Sequence, residues 1–136
     1  MKLDLMSGLN TIYPKEWIAY DIELENGVRD SINNIKKYFL PNSITEVEVN
    51  NPQCEYLDEI YDLLIDNCNI TIRGHYSNDY FKELWRAADS GQTVFQNYTI
   101  ISYTTSLDRI VNANTFYRND RTILDKTTLK KVILKK

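Results

Sequence analysis

Arg73 and His75 stand on either side of Gly74, and they are the pair in this sequence whose types most directly point to chemistry. A guanidinium beside an imidazole can receive an anion, since the first is always charged and the second readily becomes so. The same arginine has a competing use. It can pair with Glu46 or Glu48 on a neighbouring strand, a contact worth under about 1 kcal/mol if exposed. Ser106 precedes a helical pattern that begins at Leu107, so helix capping competes with a nucleophilic role. Cys54 and Cys68 have no histidine nearby in sequence, and the single histidine leaves no ligand set for zinc. Gly74 is isolated and Gly91 is placed to stop a helix, so there is no glycine-rich loop to cradle phosphate. Glu55, Asp58, Glu59, Asp62 and Asp66 line the outer side of one helical pattern, which is the habit of a solvated face. On these residues the sequence assigns no catalytic group, no metal ligand and no cofactor.

The elements that would position them alternate. Residues 18–24 place Ile18, Tyr20, Ile22 and Leu24 on one face and Ala19, Asp21 and Glu23 on the other, a half-buried strand. Val28, Ile32, Ile35 and Phe39 follow at helical spacing, and Pro41 ends that run. Residues 44–49 form a second strand with Ile44, Val47 and Val49 as its apolar members. Asn51 and Pro52 read as cap and first residue of a helix carrying Leu57, Ile60, Tyr61 and Leu64. A third strand spans residues 69–73, with Ile70 and Ile72 opposite Thr71 and Arg73. Ser77 or Asn78 caps a helix carrying Tyr80, Phe81, Leu84, Trp85 and Ala88, and Gly91 supplies its stop. A fourth strand lies within residues 94–104, then the weaker helix after Ser106 with Ile110, Val111 and Phe116. Residues 129–134 make a possible fifth strand.

Ile18, Ile44 and Ile70 recur every 26 residues. That period falls within the range of leucine-rich strand–helix arrays. Two architectures accommodate such units: a doubly wound sheet covered on both faces, or a curved sheet with helices on one side. Strands covered on both faces need near-continuous apolar runs. These strands carry Asp21, Glu23, Glu46 and Glu48, and burying an unpaired carboxylate costs several kcal/mol or forces it to neutralise. The expectation is therefore one α/β domain over residues 1–136. Its strand–helix units form a mainly parallel, leucine-rich-repeat-like sheet with helices on one side.

Composition fits one globular domain: 136 residues, 43% hydrophobic and 26% charged. The net charge of −3 is uneven: residues 1–69 hold 5 basic and 13 acidic side chains, residues 118–136 hold 7 and 2. The acidic half would repel phosphates, which argues against nucleic acid as a partner there. The basic end reads as a solvated tail or as a contact for an acidic partner. No signal peptide or membrane-spanning run is visible, so a cytoplasmic or nuclear location is the default.

Two families are similar to parts of this pattern. The run from Leu40 to Val49, the stretch Leu57 to Arg73, and Tyr80 to Trp85 resemble the leucine-rich-like F-box-associated domains abundant in nematodes. That resemblance covers about residues 17–103 and implies a partner-binding module that selects ubiquitination substrates. Separately, Ile72-Arg73-Gly74 and Tyr103-Thr104-Thr105-Ser106-Leu107 resemble the arginine strand and Ser-Thr-Ser strand of ADP-ribosyltransferases. That resemblance implies NAD as cofactor, with Arg73 on the dinucleotide phosphates and Ser106 supporting the nicotinamide pocket. No glutamate follows Glu83, so the family's downstream catalytic glutamate has no counterpart. A small Rossmann-like enzyme is a third class, weakened by the charged strands and the missing phosphate loop.

The functional expectation is accordingly a protein–protein interaction module. Its exposed sheet face would present Asp21, Glu23, Glu46, Glu48 and Arg73 for polar matching, with Ile101 and Tyr103 as apolar anchors. Four carboxylates call for a protein partner with a basic patch.

Overall fold

The computed structural model describes residues 1–6, 17–21, 28–105 and 128–136. In chain order its elements are β1 (Lys2–Leu5), β2 (Trp17–Tyr20), a 3-10 helix (Ile32–Lys37), β3 (Ile44–Asn50), α1 (Leu57–Ile60) with a 3-10 turn (Tyr61–Leu63), β4 (Leu64–His75), α2 (Lys82–Asp89), β5 (Val94–Phe95), β6 (Tyr98–Thr104) and β7 (Leu129–Lys135).

These strands make one seven-stranded sheet in the order β2-β1-β3-β4-β7-β6-β5. β1 to β4 run parallel, while β7 lies antiparallel between β4 and β6. The sheet is therefore mixed. The chain leaves β1 to add β2 on one side, then crosses back to lay β3 on the other. This order rules out the leucine-rich-like array, in which each unit stacks beside its sequence neighbour. Ile18 and Ile44 do fall on strands, but β1 separates them. β1 itself has no trace in the periodic reading, because four residues are too short to show alternation.

Register explains the core. Leu3 and Leu5, Val47 and Val49, Ile70 and Ile72, and Leu134 and Val132 are partners on four adjacent strands, and all are fully buried. Partners in register share a face, since side chains alternate along a strand. α2 packs against β6 and β7. Phe81, at its start, lies over Gly74, where a Cβ would come within 3.0 Å of the ring. Gly74 is thus a packing requirement rather than part of a nucleotide signature. Gly91, at φ +85°, ends α2 as its type predicts. The other predicted helices shrink. The first survives as the 3-10 helix capped by the Ser31 hydroxyl, with Tyr20 donating to the Ser31 carbonyl at 2.7 Å. The helix expected from Pro52 starts only at Leu57, because Asn51 turns at φ +56° instead of capping. The helix after Ser106 lies outside the described residues.

The opposite face carries Asp4, Glu48, Thr71 and Arg73, and all four are buried. The expected solvated acidic face is absent at the sheet centre. Two devices replace it. Arg73 donates to Glu48 and, at 3.3 Å, to the Asn50 side-chain oxygen. Glu46 remains half-exposed beside Lys2, 3.5 Å away. Within the basic end, whose residues 118–127 lie outside the described residues, Lys136 is not a solvated tail. Lys136 donates at 2.9 Å to the carbonyls of Tyr61 and Leu64, closing the end of the turn before β4.

Removing one partner of a buried ion pair strands the other charge, at about 3–5 kcal/mol. Arg73→Ala should therefore lower urea-derived stability by about that much, whereas the pair-removing double substitution Arg73→Met with Glu48→Leu should cost far less. Equal losses in the two variants would show that the pair is not what holds this face together.

Candidate functional site

In open α/β sheets, ligands bind outside the carboxyl ends of the strands where the strand order reverses. Here that point lies between β1 and β3. The residues gathered there come from the ends of four strands: Asp4 and Met6 from β1, Asp21 directly after β2, Glu48, Asn50 and Asn51 from β3, and Arg73 from β4.

Asp4 is the unusual member. It is 1% exposed, and its Oδ2 has no hydrogen-bond partner. Burial first, then the charges of Glu48 and Asp21, push its carboxyl up to about 7. It sits between Leu3 and Leu5, beside Glu48 in register. Arg73 serves Glu48, and Asp4 Oδ2 is left without a donor among the described residues.

The rim is held by backbone conformations that L-residues seldom adopt. Met6 turns at φ +55° and Asn51 at φ +56°. The Asn51 amide donates to the Arg73 carbonyl at 2.8 Å, tying the turn after β3 to the end of β4. The Asn78 side chain donates to the Pro52 carbonyl at 2.9 Å and to Asn51 Oδ1 at 3.3 Å. The Gln53 amide lies 3.3 Å from the Met6 sulfur, and the Cys54 thiol 3.9 Å from it.

The thiols are not nucleophiles. Burial, then Asp21 and Glu55, raise Cys54, and burial raises Cys68 to about 11. His75 Nδ1 meets the Ser77 hydroxyl and amide, and its ring stacks on Tyr76 at 4.4 Å. Among the described residues no cluster of His, Cys, Asp and Glu could hold a metal ion.

Of the residues expected from sequence, Asp21, Glu48 and Arg73 are brought to this crevice. Glu46 is not; it lies towards the opposite end of β3. Ile101 and Tyr103 are exposed on β6, at 44% and 47%. Glu23 and Ser106 lie outside the described residues. Asp4, Met6, Asn50, Asn51 and Asn78 were not singled out as site residues. The signal for Asp4 was a carboxylate alternating with leucines four residues before Gly8.

No family model and no curated protein matches the sequence. Solved structures do match. One is the 16S rRNA adenine(1408)-N(1) methyltransferase of Catenulisporales acidiphilia, a variant solved with cosubstrate SAM. It is 13% identical, with 98% of this chain and 84% of that one covered and a TM-score of 0.64. The fold is that of the Rossmann-like methyltransferases. A 30S ribosomal methyltransferase from an uncultured bacterium shares it at 18% identity, 99% and 86% coverage and a TM-score of 0.62. A SAM-dependent methyltransferase from Archaeoglobus fulgidus shares it at 16% identity, 99% and 85% coverage and a TM-score of 0.56.

A Rossmann-like methyltransferase sheet overturns both resemblances drawn from sequence. The F-box-associated reading rested on sequential stacking, and the strand order removes that. The ADP-ribosyltransferase reading rested on Ile72-Arg73-Gly74 and on Tyr103 to Leu107; here Arg73 is tied to Glu48 and Gly74 admits Phe81, while Ser106 and Leu107 lie outside the described residues. The interaction-module expectation falls with the solvated acidic face it required. NAD is disfavoured as well, since the sequence after β1 has the single Gly8 where a pyrophosphate calls for a glycine-rich turn.

Asp4 sets a pH signature. Its folded-state pKa lies above the ordinary value of 3.8, so the unfolded chain loses this proton first as pH rises. Stability from this group is full below about pH 4 and declines as pH rises to about 7, by on the order of 4 kcal/mol at most. Asp4→Asn should thus stabilise the protein at pH 8 and leave it unchanged at pH 4, read as urea midpoints. Parallel pH profiles for the two proteins would show that Asp4 is not a strained carboxyl.

Proposed function

We propose that this chain is a SAM-dependent methyltransferase domain whose crevice between β1 and β3 receives S-adenosylmethionine. The observation that carries the reading is the buried, unsatisfied Asp4 oxygen at the switch point of a Rossmann-like methyltransferase fold. The fit is chemical. S-adenosylmethionine is a nucleoside bearing an ammonium, a sulfonium and one carboxylate, a net cation with no phosphate. An acidic crevice without a glycine-rich phosphate loop suits that ligand and not a dinucleotide.

Asp4 would take the cationic part, ionising as it does so, since a nearby positive charge favours the charged carboxylate. Asp21 ends the second strand, the place from which an acidic side chain accepts hydrogen bonds from ribose hydroxyls in related sheets. Arg73 holds Glu48 and Asn50 in place and leaves Asp4 to the ligand. The Asn51–Asn78 contact fixes the β3 turn as the wall of the crevice. Bound there, the cosubstrate supplies an electrophilic methyl group on a good leaving group. Direct displacement needs no protein nucleophile, consistent with two thiols held in the protonated form. Among the described residues no helix is long and apolar enough to cross a membrane.

Isothermal titration with S-adenosylmethionine should give saturable binding, and NAD should give none. Asp4→Asn should weaken the binding at least about tenfold, equivalent to about 1.4 kcal/mol. At pH 6.5 the native protein should release a proton on binding, seen as a dependence of the heat on buffer ionisation enthalpy. Failure of S-adenosylmethionine to bind, or equal affinity in Asp4→Asn, would overturn the reading.

A further inference from the structure

The two walls of the crevice meet at a sulfur atom. Met6 leaves the carboxyl end of β1 and packs, half-buried, against the edge of the core. Its backbone is pinned from β2: the Met6 amide donates to the Tyr20 carbonyl at 2.7 Å. Its side chain reaches the other way, to the turn after β3. There the Gln53 amide donates to Met6 Sδ at 3.3 Å, and the Cys54 thiol lies 3.9 Å from the same atom. The rest of the turn is braced separately. The Gln53 side chain donates to the Asn51 carbonyl at 2.9 Å, and the Asn78 side chain donates to the Pro52 carbonyl. Met6 Sδ is thus the acceptor through which the end of β1 holds residues 53 and 54. Sulfur is a weak acceptor. What separates it from an aliphatic side chain of like volume is that it can be oxidised, and the product is polar.

We infer that Met6 is an oxidation site whose sulfoxide releases the turn after β3 and so loosens one wall of the crevice. Hydrogen peroxide is the oxidant. A lone pair of Met6 Sδ takes one peroxide oxygen, the O–O bond breaks, and the other oxygen leaves as water carrying both peroxide protons. The sulfur loses two electrons and the peroxide gains them. In the sulfoxide the acceptor is the new oxygen, one bond length beyond the sulfur. The Gln53 amide and the sulfur are already in contact, so that oxygen cannot enter between them without parting them. The pinned Met6 backbone cannot retreat, so the turn moves.

Chemistry singles out Met6 over the thiol beside it. A thiol reacts with peroxide as its thiolate, and Cys54 is held protonated by burial and by the charges of Asp21 and Glu55. A thioether has no proton on sulfur, so its oxidation does not wait on ionisation. Met1, the other methionine, is 48% exposed but lies at the opposite end of β1. It serves as an internal control for the reagent. As a change in the turn, the inference stands without any ligand. As a control of affinity, it rests on the cosubstrate reading.

The test is mild treatment with hydrogen peroxide, with oxidation located by peptide mass spectrometry. Met6 should gain one oxygen. Hydrogen exchange of residues 51–54, read without cosubstrate, should then speed up at least about tenfold. Met6→Leu, a nearly volume-conserving swap, should show no such change on treatment although Met1 still oxidises. Cys54→Ala should keep the wild-type response. Affinity for S-adenosylmethionine should fall about fivefold or more in treated wild type, while the treated and untreated Met6→Leu proteins should bind alike. The proposal is overturned if Met6 stays unoxidised while Met1 reacts, or if exchange or affinity is unchanged by its oxidation. It is overturned equally if the response survives in Met6→Leu or vanishes in Cys54→Ala. Should untreated protein bind no S-adenosylmethionine, the cosubstrate reading fails and the exchange result still decides the fate of the turn.

Discussion

Glu48 and Arg73 meet on adjacent strands at the buried centre of the sheet, with Asn50 as the third member. Low dielectric makes their attraction strong and makes either charge alone untenable. The remaining arrangement follows from satisfying them. β3 and β4 must keep one register, since a slip of a single residue would turn Glu48 and Arg73 to opposite faces. The Asn51 amide on the Arg73 carbonyl secures that register at its open end. With Arg73 committed to Glu48, the carboxylate in register with Glu48, Asp4, keeps an oxygen without a hydrogen-bond partner.

Much of the fold was legible in the sequence where side chains alternate over five or more residues. β3, the centre of β4, β6 and β7 all fall where Val47 and Val49, Ile70 and Ile72, Tyr98 and Ile100, and Val132 and Leu134 predict them. α2 was legible from its apolar stripe and from Gly91. Strand order was not, because periodicity reports which face a residue takes and says nothing about which strand lies beside it. Equal spacing of Ile18, Ile44 and Ile70 invited a stack, while β1 was too short to announce itself.

The site was half legible. Arg73 pairing with Glu48 was one of the two uses weighed for it. The burial of that pair was not foreseen, because carboxylates on strands were taken as marks of a solvated face. Two escapes from the burial penalty operate here together: Glu48 is paired, and Asp4 holds its proton to near neutrality. Asn51 read as a helix cap since Pro follows it, yet it serves instead as a left-handed turn that Asn78 clasps from the end of β4. Such tertiary contacts leave no local pattern.

β7 is the last of these strands in the sequence and yet lies in the middle of the sheet, between β4 and β6. Until it arrives, β4 has an unpaired edge, and the apolar faces of Ile70 and Ile72 lack the neighbours Leu134 and Val132. A chain in which β7 has not yet docked exposes this sticky edge, a state open to pairing with other chains. Strand position and chain position are thus uncoupled here, and removal of residues 129–135 would take away the middle of the sheet, not merely an edge.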